Sequence, residues 1–225
     1  MKTAATCVII TILCAALVTG QQKQSLSSPP NLEGVYQSIP DQTTLPGGLK
    51  NSGSPAAIAL LPEAAKQAKT VDLKKDPWKM CQPVGPFRMM AAVETKFEIA
   101  QVNDKIVLLF EDLSHGMMRP IYLKRGHPAN FEPEWLGDSV GRWQGGTLVV
   151  DTVGFNDRTW LNEEGAQHSD ALHLVERIRP MQGGQYLEYK MTAEDPKTLA
   201  KPYTYTRYYK KLDSEVVDDP CQDAE

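Results

Sequence analysis

All four histidines of the 225-residue chain, His115, His127, His168 and His173, fall between residues 115 and 173, and so do Trp135, Trp143 and Trp160. That stretch combines groups that titrate near neutral pH with large aromatic surfaces. Alternation along the strand-like runs around it sorts the remaining polar residues. In Ala171 to Arg179, Leu172, Leu174, Glu176 and Ile178 share one face, so Glu176 lands among apolar side chains, where an unpaired carboxylate is costly. Asp151 shares a face with Val149, Val153 and Phe155, and is expected to point inward as well. Arg119, on the face of Met117, Ile121 and Leu123, is the expected partner of both. Such a network is either purely structural or a ligand or catalytic site with shifted pKa values.

The common catalytic motifs do not account for these residues. Gly137-Asp138-Ser139-Val140-Gly141 fits G-x-S-x-G, but Arg142-Trp143 then leads to a Gly-Gly turn and another strand, not the helix that a nucleophile elbow needs. His168-Ser169 are neighbours in sequence, which says little about a triad. H-x-H and H-E-x-x-H spacings are absent, so a metal site could come only from scattered ligands, and none is expected. With neither a P-loop nor a strand-borne G-x-G-x-x-G, no nucleotide cofactor is expected either. The segment from Gly154 through Asn156, Trp160 and Asn162 to His168-Ser169 leaves a strand for a polar loop. It reads as either a lid over a pocket mouth or a surface loop anchored by its aromatics.

The elements that must position these groups are mostly strands. Residues 1–20 read as a signal peptide: Lys2, an apolar run from Val8 to Val18 too short to span a bilayer, and small residues before Gln21. The remainder is expected to have no membrane span and to be exported, to a periplasmic or extracellular location. The formal charge of −4 becomes −5 once Lys2 is removed, which argues against nucleic acid as a partner. Cys81 and Cys221 would then remain, as a disulfide or as two free thiols. If paired, their long loop would contribute about 4–5 kcal/mol through chain entropy.

Residues 21–90 read as an irregular arm with a possible first strand at Leu32 to Gln37 and one short helix near 62–72, started by Pro62. Cys81 to Pro86 reads as an extended connector. Residues 91–212 read as the β-barrel domain, with a period of two from Thr95 onward. Lys96 to Gln101, Lys105 to Asp112, Met117 to Lys124, Thr147 to Gly154, Ala171 to Arg179, Gln185 to Thr192 and Tyr203 to Leu212 are strand-like, and Gln144-Gly145-Gly146 and Gln182-Gly183-Gly184 mark hairpins. Seven or eight such strands predict an antiparallel up-and-down meander that closes on itself, which removes exposed edges. Residues 213–225 form a C-terminal tail.

From about Cys81 to the C-terminus the chain resembles a family of exported bacterial proteins with a lipocalin-like barrel and no activity known to us. The resemblance is carried by Cys81-Gln82-Pro83, Pro86 to Met90, Phe97 to Ile99, Arg119 to Tyr122, Pro133 to Trp135, Gly137 to Trp143 and Thr147 to Asn156. It continues in Thr159 to Leu161, His168-Ser169, Leu172-His173, Glu176-Arg177 and Glu194 to Lys197, ending at Lys201-Pro202. This chain departs from the family's pattern at Gly145-Gly146, where an acidic residue is usual, and at Lys124-Arg125-Gly126 before His127-Pro128. The second departure weakens a role for His127 relative to Asp151 and Glu176.

The expected site is an interior pocket. His115 or His168 would supply acid/base chemistry, Asp151 or Glu176 would orient it, and Arg119 would stabilise negative charge. Glu111, Tyr122, Trp143, Asn156, Trp160, Ser169 and Arg177 would contact the ligand. Two functions fit such a pocket. One is binding of a polar, aromatic or sugar-like small molecule; the other is a cofactor-free hydrolase, lyase or isomerase. A polar core with only a structural role is the third reading.

Overall fold

The computed structural model describes residues 28–40, 43–48, 57–92, 96–111 and 118–217; the expected signal peptide, His115 and Cys221 lie outside them. The alternation read from the sequence is what builds the wall. In the strand Lys105–Phe110, Ile106, Leu108 and Phe110 are buried while Lys105, Val107 and Leu109 are half-exposed. In Tyr186–Glu194 the buried residues are Leu187, Tyr189, Met191 and Ala193. One face of each strand is thus committed to a shared interior.

Among the described residues nine strands close into a barrel in sequence order: β1 (Gly34–Ser38), β2 (Lys96–Val102), β3 (Lys105–Phe110), β4 (Met118–Tyr122), β5 (Asp138–Gln144), β6 (Thr147–Val153), β7 (His173–Met181), β8 (Tyr186–Glu194) and β9 (Tyr203–Leu212). β1 pairs with both β2 and β9, so the N-terminal arm supplies the strand that shuts the ring. This is the closed, mostly antiparallel barrel expected, and it is consistent with a lipocalin-like fold.

One neighbour pair departs from the meander. β4 and β5 run parallel and share only two rungs, Ile121 with Ser139 and Tyr122 with Val140. Parallel neighbours need a crossover connection, and Leu123 to Gly137 provides it. The sequence reading treated Gly137 to Trp143 only as a motif and missed β5, because Asp and two glycines are poor strand formers. Gly141 is nevertheless required on its inner face. A Cβ there would lie 2.8 Å from Ile121 Cγ2 and 3.0 Å from Leu123 Cδ2.

Among the described residues the arm holds two short α-helices instead of one. α1 spans Pro62–Ala68, with proline in the first turn. α2 spans Gly85–Ala92, partly where a connector was expected; Pro86 in its first turn lacks only an N–H that would be unpaired anyway. α2 is buried from Gly85 to Ala91. Arg88 forms a buried two-point pair with Asp76, at 2.6 and 3.0 Å, and Asp76 also accepts from the Trp78 N–H. Tyr205 and Tyr209 of β9 donate to the Phe87 and Met90 carbonyls, at 3.3 and 2.7 Å, and so fasten α2 to the barrel.

The interior is packed with aromatics. Phe97 stacks on Tyr36, meets Phe110 at a 5.6 Å centroid distance and meets Tyr209 edge-on at 5.1 Å. Tyr189 and Tyr209 form a further T-shaped pair. No helix among the described residues is long and apolar enough to cross a membrane. Because the wall at Gly141 is already full, Gly141→Ala is expected to lower stability by about 1–3 kcal/mol through overpacking. Urea unfolding of the two proteins measures this, and an unchanged midpoint contradicts the packing described.

Candidate functional site

Arg119 and Glu176, read as partners from alternation alone, meet in the interior, with side chains 1% and 0% exposed. Arg119 Nη1 donates to Glu176 Oε1 at 2.8 Å, and Nη2 donates to Glu176 Oε2. The guanidinium also donates from Nη2 to Thr152 Oγ1 at 2.9 Å and from Nε to Ser139 Oγ at 3.1 Å. The Tyr189 hydroxyl donates to Glu176 Oε1 at 2.7 Å. Burial alone would disfavour the charge on Arg119, but the Glu176 carboxylate outweighs it and pushes the Arg119 pKa up. The Tyr189 hydroxyl, buried beside the same carboxylate, is held well above the usual tyrosine range. These groups satisfy one another, so the network has the character of a structural brace.

The other expected site residues do not join them in an interior pocket. Asp151 does share a side of β6 with Val149 and Val153, but that side faces outward; the inward residues are Leu148, Val150 and Thr152. Alternation shows which residues share a face, and the apolar neighbours of Asp151 made the outer face look like the inner one. Glu111 pairs with Lys96 at 2.6 Å. Arg177 is exposed on the outer face of β7, 3.4 Å from Gln144 Oε1. Trp143 packs half-buried against the core, and Trp160 is 4% exposed, an anchor of its loop and not a lid.

His168 is also 4% exposed, with both ring nitrogens engaged. Nδ1 donates to the Ser169 carbonyl at 2.8 Å, which leaves Nε2 to accept from the Thr159 hydroxyl at 2.5 Å. Burial pushes its pKa down despite the Ser169 carbonyl, Asp195 and Asp157. Ser169 itself donates through N–H and hydroxyl to Asp195, at 2.7 and 2.8 Å.

Outside the barrel a second chain of charges converges on residues far apart in sequence. Arg125 forms a two-point pair with Asp138, at 3.1 and 2.5 Å. His127 Nδ1 lies 2.6 Å from Asp138 Oδ1, and its Nε2 lies 3.0 Å from Asp151 Oδ1. Asp151 Oδ2 lies 3.2 Å from His173 Nε2. Partial burial raises the pKa of both aspartates, but the hydrogen bonds prevail: Arg125 and His127 lower Asp138, and His127 and His173 lower Asp151. His127, which the sequence reading set aside, is the centre of this chain.

Beside the chain, where β4 and β5 part, lies a cavity of about 730 Å³ whose lining includes Tyr122, Arg125, Phe131, Trp135, Asp138 and Arg158. A second, of about 570 Å³, is lined by Gln67, Asp157, Gln167, His168, Ser169 and Asp170, among others. Pro133, Asn156 and Arg158 line both, so the two lie side by side as lobes that share this wall. Neither is lined by Arg119 or Glu176. Of the residues singled out from sequence, Tyr122, Asn156, His168 and Ser169 do come together at this cleft. Trp135 was noted only as an aromatic, while Arg125, Phe131 and Arg158 went unmarked.

Local geometry explains the cleft wall. Gly154 has φ +74°, and a Cβ there would lie 2.2 Å from the Phe131 ring, so glycine lets the crossover loop lie on the strand end. Glu134 donates its N–H to the Gly154 carbonyl and accepts from the Asn156 N–H, at 3.0 and 2.9 Å. Arg125 stacks 3.7 Å above the Tyr122 ring, and the exposed Arg158 sits 5.7 Å from the Trp135 ring.

A brace of this kind predicts strong coupling. Glu176→Leu or Arg119→Met alone is expected to cost about 3–5 kcal/mol, and the double variant Arg119→Met/Glu176→Leu less than the sum. Chemical denaturation of the four proteins measures the coupling, and additive losses contradict the brace. Comparison with known proteins leaves the site to be read on its own geometry: no protein-family model matches the chain, and no curated protein matches it.

Proposed function

We propose that the protein binds a polar small molecule with an aromatic or sugar-like face in the two-lobed cleft at the β4–β5 junction. The observation that carries this reading is that two cavities adjoin at Pro133, Asn156 and Arg158, with aromatic side chains lining one and mainly polar ones the other. Concave sites that pair aromatic walls with a few convergent polar groups are the usual form of small-molecule sites. The filled interior supports the exterior location, since Arg119 and Glu176 have no free face for a ligand. The enzyme reading draws no comparable support: the ring nitrogens of His168 are committed to Thr159 and Ser169.

Export and a Cys81–Cys221 disulfide belong to the same proposal, resting on the signal-like residues 1–20 and on the two cysteines that follow them. Thiol titration of the denatured mature protein should find no free thiol before reduction and two after it. Two thiols before reduction would exclude the disulfide. For binding, ligands are first found by thermal shift against a metabolite and glycoside library. Trp135→Ala and Arg158→Gln should then each weaken the hits about tenfold or more, with the unfolding temperature of the free protein little changed. Hits whose affinity ignores both substitutions would contradict the cleft as the site.

A further inference from the structure

The cleft wall formed by the crossover loop is held in an unusual way. From Lys124 to Pro133 no residue makes a backbone–backbone hydrogen bond among the described residues. What holds the segment is side chains: Arg125 on Asp138 and Tyr122, His127 between Asp138 and Asp151, and Phe131 over Gly154. Arg125, Pro128, Phe131, Glu132 and Pro133 of this segment line the larger lobe. A change in its fastening therefore changes the shape of the site.

His127 is the fastening that depends on a proton. Both of its ring nitrogens face carboxylate oxygens, at 2.6 and 3.0 Å. A neutral imidazole has one N–H and one lone pair, so it can donate to only one of the two; the imidazolium donates to both. The groups facing it are Asp138 on β5 and Asp151 on β6. Behind these stand Arg125 on Asp138 and His173 of β7 on Asp151, with Glu194 of β8 opposite His173 in register. Both aspartates are held below the ordinary carboxylate range and so stay ionised through neutral pH, which leaves the imidazole protons as the variables, and of the two histidines only His127 belongs to the wall.

We propose that the proton on His127 latches the Lys124–Pro133 wall to β5 and β6, and that its loss frees the wall and reshapes the cleft. Histidine is suited to this because it changes charge within the physiological range. The sign follows from the donors: the latch is closed at the acidic end of that range and opens as pH rises. That the latch regulates ligand binding rests on the cleft reading above; the latch itself does not.

Nitrogen-15 NMR tests it on the mature protein. The ring nitrogens of His127 report its protonation, and the amides of Gly126, His127 and Ala129 report the order of the wall. Order parameters near about 0.85 are expected while His127 is protonated, falling toward about 0.6 once it is neutral. In Asp151→Asn the carboxamide can accept from or donate to the ring, so the order parameters should stay high at every pH. The proposal is overturned if wild-type order is unchanged while His127 loses its proton, or if Asp151→Asn keeps the wild-type pH dependence. A cleft that bound no ligand would leave these order parameters as they are, so latch and binding fail separately.

Discussion

Arg119 and Glu176 are shut away from water as an ion pair, and the barrel is arranged to satisfy them. Five consecutive strands each bring one group to the pair: Arg119 from β4, Ser139 from β5, Thr152 from β6, Glu176 from β7 and Tyr189 from β8. In a low-dielectric interior a lone charge from this set would be very unfavourable, so the strands are held to a register in which all five meet. The brace spans the stretch of wall that contains the weak parallel junction, where β4 and β5 share only two rungs.

Filling the interior in this way decides where a ligand can go. Among the described residues, aromatic side chains and the brace pack the barrel interior, and α2 is fastened to β9 through tyrosine hydroxyls. A concavity of about 730 Å³ lies where the parallel pair parts and the crossover loop passes over the strand ends. The feature that breaks the regular meander is thus also the one that creates the cleft.

Much of the framework was legible in the sequence because strand alternation is a strong constraint. It placed Glu176 and Arg119 on the inner face and made them partners, and it marked eight of the nine strands. It failed at Asp151 because period two groups residues without saying which side is in, and valines also line the outer face of β6. β5 was hidden by Gly137 just before it and by Asp138 and Gly141 within it, and α2 by the Gly-Pro that starts it. The cleft was legible only in pieces. Asp138, Asp151 and His127 converge through the crossover, and no spacing in the chain announces that meeting. Arg158 and Trp135 meet by the same route.

The most direct test of the exterior site is amide chemical-shift mapping of the nitrogen-15-labelled mature protein titrated with a ligand taken from the thermal-shift screen. The account predicts that the amides of Trp135, Asn156 and Arg158 move with saturation while those of Arg119, Glu176 and Tyr189 stay in place. Shifts centred on Arg119, Glu176 and Tyr189, with the cleft unmoved, would put the ligand inside the barrel and contradict it.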